Sequence, residues 1–330
     1  MNTKTRPPAI TSTKPVTPGA GVSVAEPASS SRLDWVLLIL PGTIWGASFL
    51  FIAEGLDALA PDGVSFMRFV IGFLTLCLVP GARQPVLASD RVGIFWLGVL
   101  WLAFPMSMFP HAEQWISSAL TGMLNGTVPL FATAIAAALH RKWPPAMVVV
   151  GIAAGLFGGV LMAWPGLGVG GNSATGVVIV VVACISYGFA VNLARPLQQR
   201  NGALPVIWRA LGVALVLTAP LGLPPALHGH WTTRAVLSLL ALGVLGTCVA
   251  NILTTIAAGR FGATTASIAG FFIPVVALLL GVAVRGEHVA VLSLVGGAIS
   301  LGAAWVVRWA SLRAAAAAPA PVPVAAAAAK

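Results

Sequence analysis

The residues that could do chemistry in this sequence of 330 residues are few, because only 8% of them are charged. Two arginines, Arg68 and Arg209, lie well inside long apolar segments. An arginine deep in a bilayer costs roughly 3 kcal/mol, and it is either functional or snorkels towards the headgroups. Because guanidinium binds carboxylate in a bidentate geometry, a ligand of Arg68 is predicted to be anionic or to bear a carboxylate.

Three asparagines also lie inside apolar segments: Asn125, Asn192 and Asn251. A buried amide needs a hydrogen-bond partner, which is ordinarily a neighbouring helix and alternatively a polar cavity. The cavity is favoured most for Asn125, which precedes Pro129 by about one helical turn. Trp45 and Tyr187 occupy matching positions in two further segments, where they either close a cavity from opposite sides or simply pack.

Titratable side chains occur at the ends of these segments. His111 and Glu113 could carry a coupling proton, since histidine titrates near neutrality, or could simply form a wet helix end. Glu287, beside Arg285 and His288, is predicted to form an ion cluster that stabilises a helical hairpin. The sequence has no GxxxxGK[ST], GxSxG or HExxH motif, so ATP hydrolysis and the common hydrolase chemistries lack support. Neither a metal site nor a cofactor is predicted.

The composition indicates lipid as the surrounding solvent. Hydrophobic residues make up 58% of the chain and the mean hydropathy is +0.96, whereas a soluble domain carries about 25% charged residues. The formal charge of +10 does not indicate nucleic-acid binding, because there is no basic run and no interleaving of aromatic and basic residues.

Ten apolar segments have the length needed to cross a bilayer, for which about 20 residues suffice. They lie near residues 33–56, 62–80, 91–111, 117–140, 144–164, 174–195, 203–223, 233–258, 262–284 and 288–309. Residues 1–32, rich in Pro, Ser and Thr, and residues 310–330, rich in Ala and Pro, are predicted to be disordered tails.

Lysine and arginine outside the apolar segments lie almost entirely on one side of them, and only Arg234 and Arg285 lie on the other. Cytoplasmic loops of membrane proteins carry such an excess of basic residues. The bias therefore predicts a multi-pass protein of the cell membrane with both termini in the cytoplasm. Five acidic residues are then placed on the outer side: Glu54, Asp57, Asp62, Glu113 and Glu287.

The two halves of the chain repeat the same landmarks, with Pro274 following Pro129 by 145 positions. The same offset relates three further pairs: Gly151 and Gly296, Lys142 and Glu287, and the GVL triplets at 98–100 and 243–245. Five segments per half is an odd number, so the second half must be inverted relative to the first. The two prolines are predicted to bend their helices in mid-membrane. Such matched interruptions favour a central site, although prolines also occur in membrane helices for packing alone.

Small residues recur at every fourth position in the fifth and tenth segments: Gly151, Gly155 and Gly159, and Gly296, Ser300 and Ala304. This spacing lets helix backbones approach closely. The two segments are predicted to be structural or to face a second copy of the chain in a homodimer.

At these landmarks the chain resembles the EamA-type ten-helix permeases of the drug/metabolite transporter superfamily. The matching stretches are WGASF at 45–49, PDGVSFMRF at 61–69, and the units at 129–162 and 274–305. Members show a proline, a Gly-Glu about a dozen residues later and a glycine in the next helix. Gly286-Glu287 keeps this pattern, whereas the first half has Arg141-Lys142 instead.

The resemblance implies an all-α integral membrane protein whose ten transmembrane helices form two inverted five-helix repeats, at 33–164 and 174–309. The expected function is secondary transport by alternating access, specifically export of a small polar metabolite such as an amino acid. The expected partners are that small-molecule substrate and the lipid bilayer. The candidate substrate-binding residues are Trp45, Arg68, Asn125, Pro129, Tyr187, Asn192, Arg209, Asn251 and Pro274.

Two alternatives stay open at this point. A polytopic membrane enzyme would act on a lipid or headgroup through His111 and Glu113. A non-transporting sensor or scaffold would bind a ligand without moving it across the membrane.

Overall fold

A computed structural model describes residues 32–141, 143–167, 171–261 and 266–317. These residues form helices joined by short turns, and no β-strand occurs among them. Lys142 lies outside the described residues, as do residues 1–31 and 318–330, which make up most of the two predicted tails.

The first half crosses the bundle five times. Its helices are α1 (Arg32–Leu56), α2 (Pro61–Cys77), α3 (Arg91–Leu97), α4 (Phe104–Ala112), α5 (Ser118–Asn125), α6 (Val128–His140) and α7 (Ala146–Leu167). A π-helical segment, Gly98–Ala103, joins α3 to α4 in the third pass. A turn at Gly126 and Thr127 joins α5 to α6 in the fourth pass.

The second half has the same plan. Its helices are α8 (Gly171–Asn201), α9 (Ala203–His228), α10 (Thr233–Ala241), α11 (Ala250–Phe261), α12 (Phe272–Arg285) and α13 (Val291–Ala317). A π-helical segment, Leu242–Val249, joins α10 to α11 in the eighth pass, and a 3-10 segment, Ser267–Phe271, leads into α12 in the ninth. The last helix continues past residue 310, where a disordered tail was predicted to start, because alanine is the best helix former.

The described part of the chain contains nine helices that are long and apolar enough to cross a membrane. The second pass, α2, has 17 residues, which is at the short end of the range for a transmembrane helix. Large apolar side chains such as Leu74, Val150 and Val216 are exposed on the bundle, as expected for a surface in contact with lipid. The protein is therefore a multi-pass membrane protein.

The proline-containing passes are interrupted, but not as the sequence predicts. Pro129 and Pro274 do not lie in the middle of bent helices; each lies in the first turn of a helix that begins after a break. The first turn tolerates proline because its N–H groups have no partner within the helix. The break itself consists of a turn before α6 and of a 3-10 segment before α12.

The two ends of the bundle differ in charge. The end named here the acidic end carries Glu54, Asp57, Asp62, Glu113 and Glu287. At the opposite end, Asp34 at the start of α1 pairs with Arg260 of α11 at 3.3 Å. There too, Asp90 at the start of the third pass pairs with Arg200 near the end of α8 at 2.7 Å.

These contacts establish the direction of each half. α1 runs from the opposite end to the acidic end, where Glu54 lies. α8 begins beside Trp115 near the acidic end and runs to the opposite end, where Arg200 contacts Asp90. The first passes of the two halves are antiparallel, so the halves form the inverted repeat that the odd number of segments predicts.

Each first pass packs against the interrupted pass of the other half, α1 against α12 and α8 against α6. Glycines allow the close approach: a Cβ atom at Gly46 would lie 2.7 Å from the Ile273 carbonyl oxygen, and one at Gly188 would lie 3.1 Å from the Ala132 nitrogen. Gly46 follows Trp45 and Gly188 follows Tyr187, so the glycines after these two matching aromatic residues have the same packing role in the two halves.

The fifth and tenth passes, α7 and α13, pack against each other along their small residues. A Cβ atom at Gly151 would meet Val307 at 2.6 Å, and the Ser300 hydroxyl donates to the Gly155 carbonyl at 2.7 Å. Their repeated small residues thus serve packing within one chain, which is one of the two roles that the sequence predicts for them.

The two interrupted passes end in the same way. Arg141 after α6 and Gly286 after α12 both adopt left-handed backbone conformations, with φ of 50° and 66°. They are related by the 145-residue offset. Glycine adopts this conformation freely, whereas arginine is strained in it.

Candidate functional site

Arg68 lies buried in the interior of the bundle, on α2, with only 4% of its surface exposed. Its Nε donates to the Thr247 hydroxyl at 3.1 Å. Among the described residues, no carboxylate lies within ion-pair distance of its guanidinium. A buried cation without a protein counter-ion is costly, so Arg68 is suited to bind an anionic group of a ligand.

The π-helical segment of the eighth pass organises the surroundings of Arg68. Thr247 donates its hydroxyl to the Leu242 carbonyl, five residues earlier, at 3.2 Å. The widened turn also leaves the Gly246 carbonyl free to accept from the Trp45 indole N–H at 3.0 Å. π-helical turns are frequent at functional sites because they release such backbone groups from the helix.

Four of the predicted site residues converge here: Trp45, Arg68, Tyr187 and Asn251. Asn251 donates to the Thr247 carbonyl at 2.7 Å. Tyr187 stacks on Phe109 with 5.9 Å between ring centroids, and it packs against the buried cluster that contains Phe69 and Cys248, the residues that follow Arg68 and Thr247. Trp45 and Arg68 belong to the first half and Tyr187 and Asn251 to the second, so the cluster spans the interface between the halves.

The two interrupted passes meet beside one another. A Cβ atom at Gly126, in the break of the fourth pass, would lie 3.1 Å from the Pro274 ring. The preceding residue, Asn125, has a buried side-chain oxygen with no hydrogen-bond partner among the described residues. Asn125 and Pro274 therefore lie where the breaks of the fourth and ninth passes meet, and the side-chain oxygen of Asn125 receives no hydrogen bond from the described residues there.

Asn192 and Pro129 lie on a different helix pair. The Asn192 amide donates to the Ala132 carbonyl of α6 at 3.0 Å and to the Gly188 carbonyl at 2.8 Å. Asn192 thus makes the interhelical hydrogen bond that is ordinary for a buried amide, next to the helix that Pro129 begins.

Arg209 is not brought to the Arg68 cluster. It donates to the Pro205 carbonyl at 3.1 Å and its guanidinium lies 5.3 Å from the Trp208 ring centroid. With Phe73 and Trp208 it lines a largely apolar groove of about 440 Å³. The two arginines, placed alike in their halves, therefore have unlike surroundings.

The architecture and the sequence together identify the family. The sequence profile of the EamA-like transporter family matches residues 34–164 and again residues 174–309. The chain belongs to the EamA-like transporter family.

Individual relatives are distant. The chain is 26% identical over 271 residues to "Uncharacterized transporter YdfC" of Bacillus subtilis (strain 168), covering 78% of this chain and 85% of YdfC. It is 25% identical over 285 residues to the "Probable terminal-alkyne amino-acid exporter" of Streptantibioticus cattleyicolor, covering 84% of this chain and 93% of the exporter. A solved structure described only as "Crystal structure of protein" has a similar fold, with a TM-score of 0.59 and 18% identity over 86% of this chain and 99% of that chain.

In this EamA chain, Glu287 has a different role from the predicted one. Its carboxylate accepts from the Ser118 amide at 3.0 Å, the Ser118 hydroxyl at 2.7 Å and the Ala119 amide at 2.8 Å. These groups form the start of α5, and a carboxylate there satisfies free N–H groups and the positive end of the helix dipole. The predicted ion cluster with Arg285 is wrong, because α5 offers Glu287 backbone donors in fixed positions.

Arg285 instead turns towards the end of α1. It contacts Glu54 at 2.8 Å and Asp57 at 3.2 Å. Arg234, at the start of α10, also pairs with Glu54, donating to its Oε1 at 2.7 Å. Glu54 itself is buried, so two arginines of the second half hold one carboxylate of the first half at the acidic end.

His111 and Glu113 do not form a pair with each other in the contacts of the described residues. His111 Nε2 lies 3.0 Å from Asp62 Oδ1. Glu113 lines a cavity of about 540 Å³ at the acidic end, with Asp57, Arg285 and Glu287. Burial raises the pKa of Glu113 well above its ordinary range, and the nearby Glu287 carboxylate raises it further.

Sequence reasoning missed the role of Thr247 and Gly246 beside Arg68. The signal was present, because the GVL triplets at 98–100 and 243–245 both lie in π-helical segments. In the corresponding segment of the third pass, the Leu100 carbonyl accepts a hydrogen bond from the Ser186 hydroxyl at 2.8 Å. The repeat was recognised as sequence, but its backbone geometry was not predicted.

Proposed function

We propose that this protein is a secondary transporter that exports a small polar metabolite with a carboxylate group, such as an amino acid, across the cell membrane. Its termini would be cytoplasmic and its acidic end would face outwards, in keeping with the distribution of basic residues. Membership of the EamA-like transporter family supports transport. The similarity to a relative named as a terminal-alkyne amino-acid exporter supports the substrate class and the direction.

The observation that carries the substrate class is the arginine at the interface between the halves. Arg68 uses its Nε on Thr247, which leaves the two terminal amino groups of the guanidinium for a carboxylate. A carboxylate there would receive two parallel charge-assisted hydrogen bonds. Trp45 and Tyr187 would border the rest of the solute from opposite halves, and Asn125 and Asn251 would offer it polar groups.

Alternating access requires that the contacts between the halves separate at one end at a time. At the acidic end these contacts are the pairs of Glu54 with Arg234 and Arg285 and the hydrogen bonds of Glu287 with α5. At the opposite end they are Asp34 with Arg260 and Asp90 with Arg200. Each set consists of polar contacts, which water can replace when that end opens.

The general test is flux of labelled amino acids and organic acids in proteoliposomes, with and without a pH gradient. We expect carboxylate-bearing solutes to be transported and to compete with one another. Their amide or ester analogues should compete at least ten times more weakly. Absence of protein-dependent flux across the panel would contradict the proposal.

The residue test is Arg68→Lys, with Arg209→Lys as the matched control in the other half. Lysine keeps the charge but cannot form the bidentate pair. Loss of one hydrogen bond to a charged group, worth about 1.5–3 kcal/mol, should raise the half-saturating concentration by roughly 10- to 150-fold. Arg209→Lys should stay within a factor of about 2 of the unmodified protein. Equal effects in the two variants would contradict the assignment of Arg68 to the substrate.

A further inference from the structure

Glu113 is unusual among the acidic side chains of the acidic end. Both of its carboxylate oxygens are buried, and neither has a hydrogen-bond partner among the described residues. The other four acidic residues there each have a partner: Glu54 with Arg234 and Arg285, Asp57 with Arg285, Asp62 with His111, and Glu287 with Ser118 and Ala119. An ionised carboxylate in the position of Glu113 would be desolvated without compensation.

Among the described residues, three charged side chains line the cavity together with Glu113. Asp57 lies at the end of α1, Arg285 at the end of α12, and Glu287 in the turn that follows α12. Glu287 opposes a negative charge on Glu113, Arg285 favours one, and burial outweighs both. On its own pass, His111 is two residues away and is already paired with Asp62 of α2. These surroundings favour the neutral acid form of the Glu113 side chain in this conformation.

We infer that Glu113 is a proton-binding site that is occupied while its carboxylate oxygens are buried, as they are here, and is emptied when the acidic end opens and water reaches them. This inference rests on the proposed function, because alternating access is the motion that would bring water to the carboxylate. The proton passes between a carboxylate oxygen and water of the compartment at the acidic end, and no other reactant is needed. Water that enters the opened cavity would solvate the carboxylate and remove the cost of its charge.

The consequence for transport is control by pH on one side of the membrane. A high proton concentration at the acidic end would favour the closed form, and a low one would favour opening. Glu287 serves as the contrast, because its side-chain oxygens accept three hydrogen bonds from the start of α5. The two neighbouring glutamates therefore have different roles: Glu287 binds the first half of the chain, and Glu113 binds and releases a proton.

The first test does not need transport. In infrared difference spectra of the purified protein in lipid, recorded between acidic and alkaline pH, a buried carboxylic acid gives a carbonyl band that disappears on ionisation. We expect this band in the unmodified protein and in Asp57→Asn, and its loss in Glu113→Gln. Should Glu113→Gln not fold, Glu113→Met, which also lacks a titratable proton, gives the same comparison. A band that persists unchanged in the Glu113 variants would overturn the inference.

The second test measures flux in proteoliposomes while only the pH at the acidic end is varied. The unmodified protein and Asp57→Asn should change their initial rates at least threefold over the titration of the infrared band, and Glu113→Gln should be insensitive. If the Glu113 variant keeps the unmodified pH profile, the proton site is wrong while the transporter proposal stands. If no solute of the panel is transported, the transporter proposal fails, and the infrared titration still decides whether Glu113 binds the proton.

Discussion

The contact between Glu287 and the start of α5 makes a sharp prediction about stability, because it joins the turn after α12 in the second half to the fourth pass of the first half. Glu287→Gln keeps the size of the side chain and one acceptor oxygen. That oxygen can still accept from the amide and hydroxyl of Ser118. In the unmodified protein the Ala119 N–H donates to the other carboxylate oxygen at 2.8 Å. In the variant this N–H faces the new side-chain NH2 group, so two donors oppose each other.

The expected loss follows from these contacts. One hydrogen bond to a charged group is worth about 1.5–3 kcal/mol, and the lost charge at the helix N-terminus adds roughly 0.3–1 kcal/mol. Ser117 caps only one other N–H of this turn, that of Leu120, at 3.2 Å. The free energy of unfolding should therefore fall by about 2–4 kcal/mol. For a chain of 330 residues such a loss lowers the melting temperature by roughly 3–6 °C.

The assay is thermal unfolding in one detergent at fixed pH and heating rate. Asp57→Asn is the control, since this half-exposed carboxylate pairs with Arg285 at the surface and such pairs are worth about 0–1 kcal/mol. The double variant with Ser118→Ala should be less destabilised than the two single changes added together, because both act on the same contact. A Glu287→Gln protein that melts within about 1 °C of the Asp57→Asn protein would refute the reasoning.

Three further changes have expected outcomes that thermal unfolding can check. The raised pKa of Glu113 means that the folded state keeps a proton that the unfolded state releases. The free energy of unfolding should therefore fall as pH rises above about 4.3 and level off only above the raised pKa. Glu113→Gln should flatten this decline, and an unchanged slope of the free energy of unfolding against pH would contradict the prediction. Arg141→Gly removes the strain of a left-handed φ of 50° and should stabilise the protein by about 1 kcal/mol; a lower melting temperature would count against this. Gly122→Ala would bring a methyl carbon into collision with Cβ of Ala277 and should lower the free energy of unfolding by about 1–3 kcal/mol. Gly259→Ala, with no described atom within 4 Å of the added carbon, should leave that free energy unchanged or raise it. Equal melting temperatures for the two variants would disprove the close packing at Gly122.

The sequence singled out residues that lie together in the fold, but it did not predict their arrangement. Trp45 and Arg68 were identified as an aromatic and a charge inside apolar segments, and they do converge on one segment of the eighth pass. Arg209 has the same sequence signature as Arg68 and lies elsewhere. The two are told apart only by neighbours about 180 positions away along the chain, such as Thr247 for Arg68. No local pattern encodes such distances.

Glu287 illustrates the same limit at the acidic end. Arg285 and His288 are its basic neighbours in the sequence, and proximity in sequence favoured an ion cluster with them. In the fold, Arg285 belongs to the carboxylates at the end of α1, and Glu287 belongs to backbone donors 168 and 169 positions away. Fixed backbone N–H groups at a helix start are strong partners for a carboxylate, and only the tertiary structure brings them within reach.

The sequence alone determined the solvent, the number of halves and their inversion, because hydropathy, charge bias and the offset of the repeat are properties of the chain. It also marked both interrupted passes, because proline cannot continue a helix. The tertiary structure decided which charges find partners and which do not. Burial and pairing depend on helices far apart in the chain, and for that reason only the fold distinguishes Arg68 from Arg209 and Glu113 from Glu287.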